Sequence, residues 1–306
     1  MNNLIVVLIG GLSGERKISF LTGKACLKAL RQKGYKAKTL DAKGYFVEKL
    51  KKLKPKIVFN ALHGKYGEDG FVQSILEYLK IPYTHSGVFA SSLAMDKELS
   101  RRIFKKKKLR VPKYFIIHKD HEEGLNKKLK NAKINFPIVI KPINEGSSLG
   151  VYICNNKMQF IRNYKKLAID YNKIIVEEYI PGKEIQVAVM GNKALGAIEL
   201  IPRRRFYDYT AKYSSAAKTR HIMPARLSSK KYKEVLNLAK KAHDLLGCRG
   251  ITRSDFRFFK NNFYLLETNT QPGMTKLSLV PEIAKHCGIK FMNLVEWIVK
   301  DASYNR

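Results

Sequence analysis

The chain has 306 residues, 45% hydrophobic and 27% charged, the balance of a water-soluble globular protein with room for two or three compact units. It contains no apolar run of about 18 residues and no signal-peptide layout at its start, so a membrane span and secretion are not expected and the expected location is the cytoplasm. The net charge of +34 is a footprint of nucleic-acid or acidic-membrane binding, yet the lysines are spread along the whole chain, which reads as compositional bias with nucleic-acid binding as the competing reading.

Cys26, Cys154, Cys248 and Cys287 lie far apart, without a C-x-x-C spacing or histidines at ligand spacing. Free thiols are therefore expected, with neither a disulfide framework nor a zinc site.

In chain order, the apolar run 4–9 predicts a buried strand entering the turn Gly10-Gly11-Leu12-Ser13-Gly14, and Ile18, Leu21, Ala25, Ala29 and Leu30 predict a helix stopped by Gly34. A second strand at 57–62 runs into the glycine-rich segment 63–70 and a helix carrying Phe71, Ile75, Leu76 and Leu79. This alternation predicts an open, mostly parallel α/β unit with ligand loops at the carboxyl ends of its strands. One helix is predicted over 90–104. Strands at 114–116, 137–142, 151–154 and 174–176, with a helix carrying Met158, Ile161 and Leu167, form a small mixed unit. Strands at 184–190, 194–200, 254–259 and 263–267 and helices at 229–246 and 291–299 complete an α/β chain of three lobes, bounded at 1–94, 95–180 and 181–306.

Asp255 and Glu267 are placed on neighbouring strands of a hairpin turned by Lys260-Asn261-Asn262, and Asn269 shares a face with Glu267 by period-2 alternation. Three hard oxygen donors suit Mg²⁺ bound together with substrate phosphates. The alternative is a pair of ordinary strand-edge charges. Against it stand Leu265 and Leu266 beside Glu267, because an unpaired charge on an apolar strand is costly.

The loop Asn144-Glu145-Gly146-Ser147-Ser148-Leu149-Gly150 can cover a phosphate or merely turn a hairpin, and Lys141, at a strand end before Pro142, aims an ammonium at it. Residues 176–184 read as a connector between lobes, able to offer backbone groups to a base edge and a carboxylate to ribose hydroxyls, although its glutamates could simply be solvated. Glu15 at a helix start is equally explained by capping, and His63 at a strand end by a satisfied core histidine. The polar, aromatic segment 203–222 reads as a lid loop.

Together, Gly10-Gly11-Leu12-Ser13-Gly14-Glu15-Arg16, His63-Gly64-Lys65-Tyr66-Gly67-Glu68-Asp69-Gly70, Met95-Asp96-Lys97, Glu145-Gly146-Ser147-Ser148, Tyr207-Asp208-Tyr209-Thr210-Ala211-Lys212-Tyr213 and Glu267-Thr268-Asn269-Thr270-Gln271-Pro272-Gly273-Met274 resemble the ATP-grasp family, and within it the D-alanine-D-alanine ligases, over essentially the full chain. The resemblance implies a three-lobed ATP-grasp architecture and ATP-dependent joining of two D-alanines through an acyl phosphate, for peptidoglycan synthesis. A ligase with another D-amino acid or a D-hydroxy acid as second substrate is the alternative.

By the same resemblance, Lys97, Lys141, Ser148 and Lys212 hold the ATP phosphates, Glu177, Glu178, Tyr179 and Ile180 the adenine, and Glu184 the ribose. Asp255, Glu267 and Asn269 hold two Mg²⁺ or Mn²⁺ ions. Glu15 receives the first substrate's ammonium with His63 nearby, Ser147 and Tyr213 link to Glu15, Arg253 and the Gly273 N–H stabilise the oxyanion, and Ser278 and Leu279 take the second substrate's carboxylate. A homodimer with no nucleic-acid or membrane partner is implied.

Overall fold

The strand β1 (Ile5–Ile9) is an unbroken apolar run because both its faces are covered, which only an interior strand of a helix-flanked parallel sheet requires. Its neighbours are β2 (Ala37–Asp41) and β3 (Ile57–Asn60), both parallel to it. The structure is a computed structural model that describes residues 3–119, 124–202, 219–275 and 277–305. Helices α1 (Arg16–Gln32), α2 (Phe46–Leu53) and α3 (Phe71–Tyr78) pack around this sheet. The sequence reading missed β2 and α2, whose lysine-rich edges dilute the apolar period.

The single helix expected over 90–104 is two: α4 (Val88–Met95) and α5 (Lys97–Lys106). Asp96 between them is extended at φ −80° and ψ 103°, and its Oδ1 accepts from the N–H groups of Glu98 at 2.8 Å and Leu99 at 2.9 Å. A capping carboxylate overrides a continuous apolar stripe here, and it makes Lys97 the first residue of a new helix.

The central sheet is antiparallel, in the order β4 (Tyr114–His118), β7 (Lys173–Glu178), β5 (Ile138–Pro142) and β6 (Tyr152–Cys154). Helices α6 (Leu125–Ala132) and α7 (Lys157–Asp170) close its own core around Ile138, Ile140, Phe160, Tyr164 and Val176.

The third sheet runs β10 (Arg220–Ile222), β9 (Lys193–Ile201), β8 (Lys183–Met190), β11 (Ile251–Phe259) and β12 (Asn262–Asn269), all antiparallel. Helix α8 (Ser229–Leu245) covers one face through Val235, Ala239 and Ala242, joined by Ala90 and Ala94 of α4. On the other face, α9 (Leu279–His286) and α10 (Phe291–Lys300) share one core with the first sheet, in which Val7 and Leu30 pack with Ile198, Ile283 and Leu294. The first and third sheets are therefore welded, and the central unit keeps a separate core. All four cysteines are free, and only Cys287 is exposed. No helix among the described residues is long and apolar enough to cross a membrane.

Candidate active site

The hairpin of β11 and β12 turns at Lys260 and Asn261, both at positive φ (45° and 62°), the geometry of a two-residue type I′ connection. Its register sets Asp255 directly across from Glu267 and Arg253 across from Asn269. Arg253 and Asp255 share a face, and the guanidinium grips the carboxylate at both oxygens, Nε to Oδ1 at 2.7 Å and Nη2 to Oδ2 at 2.9 Å. The Asn269 Oδ1 accepts from the Gln271 N–H at 2.7 Å, which fixes the amide's orientation.

A cleft of about 820 Å³ lies between the central and third sheets, lined by Lys97, Lys141, Ser148, Tyr179, Glu184, Asp255 and Glu267 among others. A smaller compartment of about 310 Å³, lined by Glu68, Gly146, Thr268 and Asn269, shares Lys97, Glu145 and Glu267 with it. Those three residues form the junction. The Lys97 Nζ donates to the Glu145 carbonyl at 2.5 Å and lies 3.4 Å from the Glu267 Oε2.

Lys141 is buried on β5 with its Nζ 2.9 Å from the Glu177 Oε1, and the other Glu177 oxygen meets the guanidinium of Arg101. Arg101 is fully buried, donates to the Leu266 carbonyl at 3.3 Å and lies over the Tyr114 ring. Burial pulls the Lys141 ammonium below its ordinary pKa despite Glu177, with Arg101 adding to the fall. For Glu177, burial works against ionisation but Arg101 and Lys141 outweigh it, and its pKa is lowered. The Glu177 carboxylate thus faces the two cations, where the resemblance had it holding adenine. The Glu178 carboxylate accepts the Lys113 N–H at 2.8 Å, while Tyr179 and Ile180 line the cleft. Arg257 donates through Nε to the Ile180 carbonyl at 2.9 Å and through Nη1 to the Glu184 carboxylate at 3.2 Å.

Ser147 and Ser148 adopt positive φ (49° and 61°), a conformation that L side chains rarely take. This bend brings the Ser147 hydroxyl onto the Glu15 Oε1, to which it donates. Glu15 occupies the N-cap position of α1 without a side-chain capping bond, so its buried carboxylate is directed to the site rather than to its own helix. Gly64 has a φ of +69°, which L side chains rarely adopt, and a Cβ there would stand 2.5 Å from the Glu15 Oε2 and displace that carboxylate.

Behind Glu15, His63 bonds through Nε2 to the Thr22 hydroxyl at 2.9 Å and through Nδ1 to the Glu68 Oε1 at 3.0 Å. Burial opposes charging of this imidazole, but the hydrogen bond and charge of Glu68, with help from Glu15, raise its pKa above the ordinary value. At the far end, a Cβ on Gly273 would stand 2.9 Å from the Ser278 Oγ, which accepts the Thr275 N–H at 2.9 Å. Ser278 is the N-cap residue of α9, and the Leu279 side chain is buried in the core, so its backbone N–H is what a ligand could use.

Lys212 and Tyr213, together with Arg203, Arg204 and Arg205, lie outside the described residues. Sequence reasoning missed Thr22, Arg101 and Arg257, and gave Glu68 no role. The spacing of Lys97 and Arg101, one helical turn apart, was the available signal for Arg101. Among the described residues no group of three or more His, Cys, Asp and Glu side chains converges. Two facing carboxylates and an amide oxygen nevertheless fit Mg²⁺, which takes few protein carboxylates, and the Arg253 and Lys97 cations already drawn to them mark the spot as one that holds positive charge.

A family profile described as the D-ala D-ala ligase C-terminus matches residues 103–300, and one described as the D-ala D-ala ligase N-terminus matches residues 41–86. The D-alanine-D-alanine ligase of Pelagibacter ubique (strain HTCC1062) is 56% identical, covering 100% of both chains, and that of Wolbachia pipientis wMel is 48% identical over 97% of this chain and 94% of its own. Among solved structures, a D-alanine-D-alanine ligase from Bacillus anthracis superposes at a TM-score of 0.87 with 31% identity, covering 97% of this chain and 96% of that one. A structure of the ligase from that organism complexed with ATP superposes at 0.85 with 28% identity and the same coverage. With both profiles, full-length relatives and a shared fold in agreement, the chain belongs to the D-alanine-D-alanine ligase family.

Proposed function

We propose that this protein joins two D-alanines to D-alanyl-D-alanine at the expense of ATP, in the cytoplasm, for peptidoglycan synthesis. The observation that carries the reading is the junction of Lys97, Glu145 and Glu267, where the cleft between the central and third sheets meets the smaller compartment beside Glu68 and Asn269. A phosphoryl group passing between the two compartments would cross that junction.

In this reading the adenosine lies along Tyr179, Ile180 and Glu184, and Lys97 and Lys141 reach the phosphates, with Arg101 and Glu177 holding Lys141 in place. Asp255, Glu267 and Asn269 would hold Mg²⁺, which when bound offsets phosphate charge. Glu15, backed by His63, binds the ammonium of the first D-alanine, and a carboxylate oxygen of that D-alanine attacks the γ-phosphorus as ADP leaves, giving its acyl phosphate. The amine of the second D-alanine then attacks the carbonyl carbon, Arg253 and the Gly273 N–H stabilise the oxyanion, and phosphate departs. The second substrate's carboxylate sits at the start of α9, on Ser278 and the Leu279 N–H. Lys212 and Tyr213 complete the lid in this reading, and Tyr213 favours D-alanine over D-lactate.

A coupled assay tests it: ADP release is expected only with ATP, Mg²⁺ and D-alanine together. Release that persists without D-alanine would sink the reading, and a screen of D-amino acids and D-lactate separates it from a ligase with another second substrate. A homodimer is part of the same proposal, supported by the neighbouring exposed aromatics Phe71 (52%) and Tyr66 (37%), which pack edge to face, and by Phe89 (73%). Light scattering of the eluted protein is expected to give twice the chain mass, and a monomer would remove this part.

A further inference from the structure

Asp255 and Arg257 stand two apart on β11, so alternation aims Arg257 into the same cleft as the carboxylate beside the phosphates. Its cross-strand partner on β8 is Glu184. The guanidinium uses two of its nitrogens on two different parts of the cleft wall: Nε donates to the Ile180 carbonyl at 2.9 Å, and Nη1 to the Glu184 Oε2 at 3.2 Å. It also lies 6.0 Å from the centre of the Tyr179 ring. The other Glu184 oxygen accepts from the Gln186 amide at 3.4 Å.

An arginine suits this place because its planar fork satisfies two acceptors at fixed angles, which a lysine cannot do. An ionised carboxylate has about four acceptor directions, so a Glu184 oxygen held by Arg257 still has capacity for a hydroxyl donor. We propose that Arg257 is a positioning residue for nucleoside recognition, locking Tyr179, Ile180 and Glu184 into one preformed wall so that Glu184 can read the ribose hydroxyls of ATP. The proposal rests on the nucleotide reading of the cleft. It is confined to the binding step, because Arg257 lies at the adenosine end and the reacting groups lie at the junction beyond Asp255.

The test uses the full-length protein and its Arg257→Met and Arg257→Lys variants, with equilibrium binding of ATP and of 2′-deoxy-ATP measured by calorimetry, beside kcat and the KM values for ATP and D-alanine. For Arg257→Met, Kd and KM for ATP rise on the order of tenfold, the scale of one charge-assisted hydrogen bond. The preference for ATP over 2′-deoxy-ATP falls towards one, while kcat and KM for D-alanine stay near wild type. Arg257→Lys, with the charge but without the fork, recovers only part of the preference. Unchanged ATP binding with an unchanged preference in Arg257→Met overturns the proposal. So does an equal loss in both substrates with a lowered melting temperature, which is the mark of a merely structural arginine, or full recovery in Arg257→Lys. A wild-type protein that binds ATP without preferring it to 2′-deoxy-ATP overturns the ribose role alone, whereas one that binds no ATP overturns the nucleotide reading itself.

Discussion

The electrostatics of single residues carry most of the chemistry. Glu267 faces Asp255 across the hairpin and touches Lys97, so its charge is felt by both compartments. Glu267→Gln keeps the shape and removes the charge. Turnover is expected to fall on the order of a hundredfold, the scale of one lost electrostatic group at a reacting centre, with an unchanged circular dichroism spectrum; near-normal turnover would remove Glu267 from the proposed Mg²⁺ ligands. His63 offers a test in pH. Its folded pKa is raised, so protonation favours the folded state: the stabilisation is complete below the ordinary value of 6.5 and is lost as pH rises through the raised value. The difference in urea stability between the wild type and His63→Gln is therefore expected to be larger at pH 6 than at pH 9. An equal difference at both would show that His63 is not charged in the fold.

At the scale of elements, what matters is where helices and strands are interrupted. Asp96 starts α5 afresh and places Lys97 and Arg101 one turn apart on a common face, so that one addresses the junction and the other the Glu177 carboxylate. Asp96→Ala removes two N-cap hydrogen bonds, which costs about 1 kcal/mol. For a chain of this size that is a fall of about 2 °C in melting temperature. Because Lys97 is the first residue of the frayed turn, KM for ATP is expected to rise as well. A lower melting point with an unchanged KM would separate the cap from the site. The type I′ turn at Lys260-Asn261 does comparable work, since a slip of one residue in β12 would turn Glu267 away from Asp255.

The whole molecule is held by the core that α1, α9 and α10 share between the first and third sheets. A fragment of residues 1–87 would lose the cover over Val7 and Leu30 and is expected to lack cooperative thermal unfolding. A sharp transition in that fragment would contradict the shared core. Part of the large positive charge lines a groove with Arg102, Lys105, Lys108, Arg110 and Lys113, beside Glu98, Tyr114 and Phe115. If the charge is compositional, anisotropy of a labelled single strand should show only weak binding that vanishes near 0.15 M salt, roughly where exposed charges more than about 8 Å apart are screened. Tight binding that survives that salt would reopen the nucleic-acid reading.

The sequence by itself determined the parallel opening unit, the hairpin of Asp255 and Glu267, and the glycine turns beside Glu15 and His63. Each depends on local causes: period-2 alternation, unbroken apolar runs, and turn positions that favour glycine. Only the tertiary structure decided that Glu177 is turned to Lys141 and Arg101 and that Arg257 ties Glu184 to the connector. It also set Glu68 and Thr22 on either side of His63. The direction of a buried charged side chain depends on which opposite charge the fold brings within reach, and in the ion pairs those partners lie up to 76 residues away in the chain, beyond the range of any local pattern.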